Sequence, residues 1–409
     1  MNDIVFWLIL AIPVAGYVTE RILDRLNAKM WSVRLPGKLA GVCSEENYMK
    51  SQLYDQASKR LAVWSSSFNM AVVLLMIICG GFAFADSFAR SISQNNIVCA
   101  LLFFGIIGFL SDIINIPFSY YDNFVIENRF GFNRMNIKTF IADIFKSWLV
   151  AVIIGAPVLG FITWLYYKTG SHFWLLAWGA VVAVSVFINL FYSELIVPLF
   201  NRQEPLGEGS LRNKIESFAA KTGFELKNIY VIDGSKRSSK ANAYFSGFGP
   251  RKRITLFDTL LKDLEEDEIV AVLAHETGHY RKRHVLHSLL MSVITTGVML
   301  FLLSAVIGSP ALYMALGSAQ PSFQLSLVVF GILYSPLSLV TGLAANYFSR
   351  RNEFAADRFA KENFEARALA SALKKLSVNN LSNMMPHPAY VFFHYSHPPL
   401  LERLEKIES

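Results

Sequence analysis

Cysteine and charged side chains are both scarce in this chain of 409 residues. Its three cysteines, Cys43, Cys79 and Cys99, show neither the pattern of a disulfide framework nor the spacing of a cysteine metal site. Charged residues make up 17% of the sequence, against roughly a quarter in soluble domains, whereas hydrophobic residues make up 53%. No clear internal repeat or low-complexity segment is present. The composition therefore argues against an ordinary soluble protein and against a disulfide scaffold.

Long apolar runs separate the few charged segments. Seven of them approach or reach the roughly 20 residues that a helix needs to cross a bilayer core. These predicted spans are Ile4–Val18, Trp64–Ala85, Ile97–Pro117, Phe145–Tyr167, Phe173–Phe191, Val285–Ile307 and Leu325–Phe348. The first span is short and contains Pro13, and a cleaved signal peptide is its alternative interpretation. Because Asp3 precedes this run and no basic residue does, we expect it to be retained as a span.

Basic residues alternate between the two sides of the predicted helices. Eight Lys or Arg residues lie between spans one and two, Arg90 alone lies between spans two and three, and none lies between spans six and seven. Residues 200–284 and the tail after span seven are basic again. The positive-inside rule then predicts an outside or lumenal N-terminus and a cytoplasmic C-terminus. This topology accounts for the net charge of +7, so we expect a lipid bilayer and no nucleic acid as partner.

Residues 200–284 form the one long stretch that could make a lobe outside the membrane. Ser210–Thr222 has the period of an amphipathic helix, while Ile229–Ile232 and Ile254–Phe257 are short β-type runs. Ala243–Phe248, which lies between those runs, is rich in aromatic residues and glycine. A second helix is predicted to begin near Asp263 and to continue into span six.

This second helix contains the sequence His275-Glu276-Thr277-Gly278-His279, an HExxH pattern. Positions i and i+4 of a helix lie on the same face, so both imidazoles can reach one metal ion. The Glu276 carboxylate lies beside them and can act as a base on a water molecule. The pattern therefore predicts a zinc peptidase site with one zinc ion per chain.

A zinc peptidase site of this kind needs a third protein ligand. Glu353 follows span seven about as closely as His279 precedes span six, so the two are predicted at similar heights on one side of the membrane. Asp357, one helical turn later, could accept a hydrogen bond from a ligand imidazole and orient it. The alternative for Glu353 is an exposed ion pair with Arg350 or Arg351.

Six longer stretches, in one order and spacing, carry a family resemblance. They are FVIENRFGFNR at 124–134, PLFNRQEPL at 198–206, IDGSKRSSKANAYFSGFG at 232–249, LAHETGHYRKRH at 273–284, SRRNEFAADRFA at 349–360 and FHYSHPPLLERL at 393–404. Over nearly its whole length, the chain resembles the CAAX prenyl protease 1 type of integral-membrane zinc metalloprotease.

This resemblance implies a mainly α fold: a seven-transmembrane-helix barrel that encloses a chamber, with a small α+β zinc-peptidase lobe on its inner face. We divide the chain into spans one to five (1–199), the lobe with the HExxH helix (200–284), spans six and seven (285–348) and a C-terminal segment (349–409). We expect a monomer. Its membrane is predicted to be the endoplasmic reticulum or inner nuclear membrane in a eukaryote and the cytoplasmic membrane in a bacterium.

The resemblance also assigns roles to individual residues. The family's zinc ligands and general base correspond here to His275, His279, Glu353 and Glu276. Asn242 and His397 correspond to residues around the substrate or oxyanion, and Arg403 resembles a further support of that pocket. The alternatives are an ordinary turn residue for Asn242 and a structural cap on the tail for His397 and Arg403. Lys240 and Thr277 depart from the family, which often has histidine and leucine there. The remaining histidines, expected to be structural or on the surface, are His172, His284, His287, His387 and His394.

The implied substrates are peptides or proteins with a prenylated cysteine near the C-terminus. Such a peptide is expected to lie extended beside an edge strand near Ala241–Phe248. The first alternative is a broad-specificity quality-control metalloprotease of the membrane. A seven-span transporter, with Asp112, Asn115 and Asn189 along its path, is the alternative outside the peptidases. A site-two-type protease would place HExxH inside an apolar span, whereas here the basic run Arg281-Lys282-Arg283 lies just after the motif.

Overall fold

Long apolar helices dominate the fold. The computed structural model describes residues 2–223, 229–246 and 253–409. Within these residues seven helices are long and apolar enough to cross a membrane, as the sequence predicts. Their bounds are Ile4–Ala28, Glu45–Ile78, Asn96–Glu127, Ile137–Thr169, Phe173–Phe200, His284–Val306 and Phe323–Asn363. The first span is longer than predicted and packs into the bundle, where the Tyr17 hydroxyl lies 2.6 Å from Ser67 Oγ of the second span.

Eight α-helices and three π-helical turns make up the first five spans and the segment between spans two and three. The helices are α1 (Asn2–Ala28), α2 (Glu45–Ile78), α3 (Gly81–Ile92), α4 (Asn96–Tyr121), α5 (Ile137–Val150), α6 (Ala156–Thr169), α7 (Phe173–Phe191) and α8 (Val197–Phe200). The turn Asp122–Glu127 extends α4, Ala151–Gly155 joins α5 to α6, and Tyr192–Ile196 joins α7 to α8. Each turn keeps the chain helical, so α5 and α6 form one span, as do α7 and α8.

The second span differs from the prediction, which placed it at Trp64–Ala85. Helix α2 ends at Ile78, and Gly80 adopts a left-handed conformation (φ 69°) before α3 begins. Glycine adopts this conformation without a steric penalty, and a residue in it ends an α-helix. Because the residues on both sides of the break are apolar, a hydropathy profile does not reveal it. As a result, Phe82 and its neighbours belong to a separate helix that packs beside the start of α14 (Phe323–Asn363).

The lobe contains a four-stranded sheet. Its strands are β1 (Gln203–Pro205), β2 (Ile229–Ile232), β3 (Ala243–Ser246) and β4 (Arg253–Phe257), and its first helices are α9 (Ser210–Thr222), α10 (Asp258–Asp263) and α11 (Glu266–Arg281). The strand order is β1-β2-β4-β3, with β2 and β4 parallel and both edge strands antiparallel to their neighbours. The predicted edge strand is therefore present as β3, while residues 247 and 248 of that prediction lie outside the described residues.

The HExxH helix does not continue into span six, so this prediction is wrong. Helix α11 ends at Arg281, and α12 (His284–Val306) begins after Arg283, whose φ is +57°. A residue in this left-handed region cannot lie inside a right-handed helix, so the chain changes direction here. Because of this turn, α11 leaves the axis of span six and packs along α14, the helix that forms span seven.

The hydrophobic core of the lobe draws on two distant parts of the chain. After span seven come α15 (Ala366–Asn379), α16 (Pro388–His394) and α17 (Leu400–Glu408); the short α13 (Pro310–Ala315) lies between spans six and seven. Leu256 and Leu260 are buried in one cluster with Leu369, Leu404 and Ile407. Each such side chain contributes roughly 1.5–3 kcal/mol on burial. The C-terminal segment is thus part of the lobe and holds the inner end of α14 against α11.

Candidate metal centre

The helix that carries the two histidines is fixed at its start. Glu265 and Glu268 form a capping box, in which Glu265 N donates to Glu268 Oε2 at 2.9 Å. Lys375 of α15 also donates to Glu268 Oε2, at 2.8 Å. Nine of the 16 residues of α11 are buried, so the helix has little freedom to slide or rotate. His275 and His279 therefore project from one face at fixed positions.

His275, His279 and Glu353 bring three potential ligand atoms together. The two Nε2 atoms lie 3.1 Å apart. Glu353 Oε2 lies 3.4 Å from Nε2 of His275, and Oε1 lies 3.1 Å from Nε2 of His279. Ligand atoms at tetrahedral positions around zinc, with bonds of about 2.0–2.1 Å, are about 3.3 Å apart. The three side chains therefore have the spacing of one tetrahedral metal site.

The donor set also fits a divalent cation chemically. Among the residues that the structure describes, these three side chains form a group that could hold a metal ion. Glu353 is 3% exposed, and its Oε2 atom is buried without a hydrogen-bond partner among those residues. Such an atom costs roughly 1–3 kcal/mol, a cost that a bound cation would remove. Arg350, the alternative partner of Glu353, instead donates to the carbonyl oxygens of Val391 and Tyr395.

Asp357 and Arg403 orient the first histidine. Oδ1 of Asp357 lies 2.8 Å from Nδ1 of His275. Arg403 holds this carboxylate through two hydrogen bonds, from Nε at 2.8 Å and from Nη2 at 2.6 Å. Burial disfavours a charged His275, but the neighbouring carboxylates of Asp357 and Glu353 outweigh it and raise the pKa of the imidazole to about 9. The same two carboxylates would favour a divalent cation beside the ring.

A cavity of about 570 Å³ opens beside the three ligand atoms. Glu276 lines this cavity, together with Asn242 at the start of β3 and with Arg403. His397 also lines it; this side chain is 63% exposed, and its Nε2 atom lies 3.3 Å from Glu353 Oε1. The tertiary structure thus brings every residue named as catalytic from the sequence to the same cavity as the potential metal ligands.

The whole chain matches known peptidases. Residues 205–409 match peptidase family M48, and residues 26–202 match the CAAX prenyl protease N-terminal region with its five membrane helices. The CAAX prenyl protease 1 homolog of Homo sapiens is 31% identical over 99% of this chain and 95% of its own length. The homolog of Arabidopsis thaliana is 36% identical over 97% of this chain and 95% of its own length. The chain belongs to the CAAX prenyl protease 1 family.

Members of the CAAX prenyl protease 1 family share this fold as well as the sequence. The crystal structure of S. mikatae Ste24p superposes with a TM-score of 0.95 at 32% identity and covers 99% of both chains. The CAAX prenyl protease 1 of Saccharomyces cerevisiae is 32% identical over 96% of this chain and 92% of its own. These findings confirm the predicted family, the mainly α seven-span fold and the activity class. The protein is a multi-pass integral-membrane metalloendopeptidase.

Membership of the CAAX prenyl protease 1 family argues against the transporter interpretation, and local contacts account for the polar residues that suggested it. Asp112 accepts a hydrogen bond from the Trp148 indole. Asn115 Oδ1 accepts one from Asn69 at 2.9 Å. These contacts cross between neighbouring spans, as polar side chains in membrane helices commonly do. The HExxH motif lies in the lobe rather than inside a span, which also argues against a site-two-type protease.

Gly278 is a site residue whose importance the sequence did not reveal. A Cβ atom at this position would lie 2.9 Å from Cα of Ala356 and 3.1 Å from its carbonyl oxygen. The backbones of helices α11 and α14 therefore lie in close contact beside the residues that carry the three ligand atoms. A glycine inside HExxH can indicate close backbone packing, but the sequence does not show which helix packs against it.

The contacts of His284 and Asn380 were not predicted. His284, expected to be structural or on the surface, is buried, and its Nδ1 lies 3.0 Å from Nδ1 of His279. The break at Arg283 places it there, so no helical spacing could have predicted the contact. Asn380 follows α15 and lines the cavity while bonding the backbone of Ala241. No recognisable motif in the sequence points to Asn380.

Proposed function

We propose that this enzyme cleaves peptide bonds near the C-terminus of proteins or peptides that carry a prenylated cysteine. The observation that carries the proposal is the convergence of His275, His279 and Glu353 at a cavity that Ser288 and Ser349, from spans six and seven, also line. A prenyl chain partitions into a bilayer, so a site beside the spans can reach a peptide anchored there. Relatives with the same domain pair bear the name CAAX prenyl protease 1.

We assign one zinc ion per chain to His275, His279 and Glu353. When bound, zinc would supply Lewis acidity, which acidifies a water molecule and polarises the scissile carbonyl. Asp357 accepts the Nδ1 proton of His275, which keeps Nε2 free as a ligand atom. Arg403 acts through Asp357, because its two hydrogen bonds fix the orientation of that carboxylate.

Glu276 is our candidate for the general base. It lies between the two histidines in α11, and its carboxylate lines the cavity. From there it can accept a proton from the attacking water molecule and deliver a proton to the leaving amine. Asn242 and His397 lie on the same cavity wall and can donate hydrogen bonds to the carbonyl oxygen as negative charge develops on it.

Edge strand β3 is our candidate for the surface that holds the peptide. It pairs with β4 on one side, and no strand pairs with its other side in the described part of the chain. Ala243 and Tyr244 of this strand line the cavity. An extended peptide could add to this edge through main-chain hydrogen bonds, which would hold substrates of differing sequence in one register.

The charge pattern supports a topology in which the N-terminus is outside or lumenal and the lobe is cytoplasmic. Contact between His279, before span six, and Glu353, near the C-terminal end of span seven, supports one common side for both segments. We propose that the enzyme acts there as a monomer. Its membrane would be the endoplasmic reticulum or inner nuclear membrane in a eukaryote, and the cytoplasmic membrane in a bacterium.

The substrate proposal is tested by incubating purified enzyme with a farnesylated CAAX peptide and with the same peptide lacking the farnesyl group. We expect cleavage of the farnesylated peptide at least tenfold faster in kcat/KM, a difference of about 1.4 kcal/mol. A chelator should abolish cleavage and added zinc should restore it. Equal, chelator-sensitive cleavage of both peptides would instead support a broad-specificity membrane protease.

A further inference from the structure

The segment that leads into edge strand β3 is bonded to the membrane-spanning region. We call residues 237–242 the entry segment. Asn133, in the loop after the third span, forms an isolated antiparallel bridge with Ser238, flanked by two backbone hydrogen bonds of 3.0 Å. The Arg237 guanidinium makes a bidentate ion pair with Asp143 of α5, at 2.7 and 2.9 Å. The start of β3 therefore depends on groups that lie outside the lobe.

Lys240, two residues before Asn242, makes a second charged contact between the entry segment and the membrane spans. Its Nζ donates to Glu127 Oε1 at 2.9 Å and to the Tyr54 hydroxyl at 2.7 Å, and Tyr54 in turn donates to Glu127. The ammonium also lies 4.5 Å from the ring centroid of Phe132. Burial acts to lower the pKa of Lys240, but the hydrogen bonds outweigh it and raise that pKa, so the side chain stays charged. We call Lys240, Glu127 and Tyr54 the lysine clamp.

The backbone immediately after Lys240 is held from the opposite side. Asn380 brackets Ala241 with two hydrogen bonds of 3.2 Å, one to its N–H and one to its carbonyl oxygen. Thr259 Oγ1 donates to the carbonyl oxygen of Lys240 at 3.0 Å. The next residue is Asn242, whose side chain is exposed at the cavity. The lysine clamp and the lobe thus both hold the entry segment, up to Asn242, the candidate substrate contact.

We propose that Lys240 is a positioning residue for substrate binding. Through Glu127 and Tyr54, the lysine clamp sets the position of the free edge of β3 relative to Glu276, while Asn380 holds the backbone beside Asn242. This inference rests on the proposed function, since it assumes that a peptide binds along β3.

A positioning role of this kind has a distinct kinetic signature. Helices α11 and α14 hold the three metal-ligating residues, and their close contact at Gly278 does not involve the entry segment. Loss of the clamp should therefore leave metal binding intact while it weakens pairing of the peptide with β3. Because strand pairing stabilises the bound substrate and the transition state alike, the loss should appear mainly in KM.

The test compares Lys240→Met, Glu127→Gln and the double variant on the farnesylated peptide. We expect Lys240→Met to raise KM about tenfold, with kcat within about twofold of the wild type and zinc content unchanged. Glu127→Gln should change KM in the same direction. The double variant should be no worse than the more impaired single variant, because both changes break one interaction. Additive losses, or a wild-type KM for Lys240→Met, would overturn the clamp.

A matched control is available at the neighbouring strand. Arg253 of β4 forms an ion pair of 2.8 Å with Glu194 of the fifth span, so it also links the lobe to the membrane helices. Arg253→Met should keep a wild-type KM because this pair lies at the end of β3 farthest from Asn242. A rise in KM equal to that of Lys240→Met would show a general loss of lobe docking and would overturn the specific role.

Hydrogen exchange gives a readout that does not depend on activity. In Lys240→Met, amides of residues 237–246 should exchange at least tenfold faster, while amides of α11 keep their wild-type rates. Unchanged exchange in 237–246 would contradict the clamp even if the enzyme cleaves its substrate. Conversely, faster exchange confined to this segment, in an enzyme that cleaves no prenylated peptide, would support the clamp and reject the proposed substrate.

Discussion

The HExxH helix and the membrane spans follow opposite packing patterns. Nine of the 16 residues of α11 are buried. In the most apolar window of each span, by contrast, only 6 to 17% of residues are buried within the protein. Helix α11 thus contacts protein on most of its surface, whereas each span leaves most of its surface for lipid or for the interior of the barrel.

This difference reflects what each region has to do. A metal site requires each ligand atom to stay within about half an ångström of its binding position. Only a closely packed environment provides this. Spans that enclose a chamber need a lipid-compatible outer face and enough contacts to close the wall. We therefore expect substitutions in the lobe, and in the part of α14 that packs against α11, to change chemistry and metal binding. Substitutions elsewhere in the spans should change them little.

The largest expected effect comes from Glu276→Gln. Removal of the general base should lower kcat by about 10²–10⁴-fold, while zinc content stays at one per chain because the glutamine is not a ligand. Activity on the farnesylated peptide and metal analysis of the same preparation provide the measurements. Glu266→Gln, at the exposed start of the same helix, is the control and should retain full activity. Near-normal turnover in Glu276→Gln would require a different base.

Asp357→Asn should come next, because it weakens the support of His275 without removing a ligand. We expect zinc affinity to fall about 10–100-fold, with activity restored by excess zinc. Competition with a chromogenic chelator measures the affinity. Asp263→Asn is the matched control, since Asp263 accepts a hydrogen bond from Asn379 outside the site. A wild-type zinc affinity in Asp357→Asn would show that close packing alone orients His275.

Glu268→Gln tests the packing of α11 through its pH dependence. Burial acts to raise the pKa of Glu268, but hydrogen bonds from Lys375, Ser371 and the backbone of Glu265 outweigh it and lower that pKa. A lowered pKa in the folded state means stabilisation that is present above the unfolded-state pKa of about 4.3 and disappears as the pH falls through the folded-state value.

The variant should therefore unfold more easily than the wild type at pH 7, by about 1 kcal/mol, because glutamine loses the charged hydrogen bond to Lys375. The difference should shrink below about pH 4.3. Thermal unfolding in detergent across this range measures it. Glu408→Gln, which removes the exposed partner of Lys374, should leave stability nearly unchanged. A pH-independent deficit would mean that the carboxylate charge does not contribute.

The smallest effect is expected from Asp112→Asn in the third span. The asparagine oxygen can still accept the hydrogen bond from Trp148, and the pair lies outside the metal-site cavity. Values of kcat/KM and zinc content should stay within about twofold of the wild type. A tenfold loss in kcat, as opposed to a rise in KM such as that expected for Glu127→Gln, would break the comparison, because it would show that the spans take part in the chemical step.

Two predictions made from hydropathy and helical period failed at breaks in the chain. Trp64–Ala85 is interrupted at Gly80, and the HExxH helix ends before Arg283 instead of entering span six. Both breaks are single residues in left-handed conformations between segments that each have helical character. A periodic pattern averages over many residues, so it identifies the segments and overlooks one residue where the backbone turns.

The sequence by itself determined the features that depend on local order. The number of spans follows from the length of apolar runs, and the pairing of His275 with His279 follows from their spacing on one helix. Its height along the chain after the predicted span seven made Glu353 the candidate third ligand, and the family resemblance implied the same role.

Only the tertiary structure decided which distant groups meet. It brought Glu353 to the two imidazoles, placed Gly278 against Ala356 and joined Lys240 to Glu127. Each contact depends on how separate helices dock, and docking is set by side-chain packing between parts of the chain that are far apart in sequence. Such contacts leave no periodic signal along the chain, which is why the sequence indicated the chemistry and the fold decided the geometry.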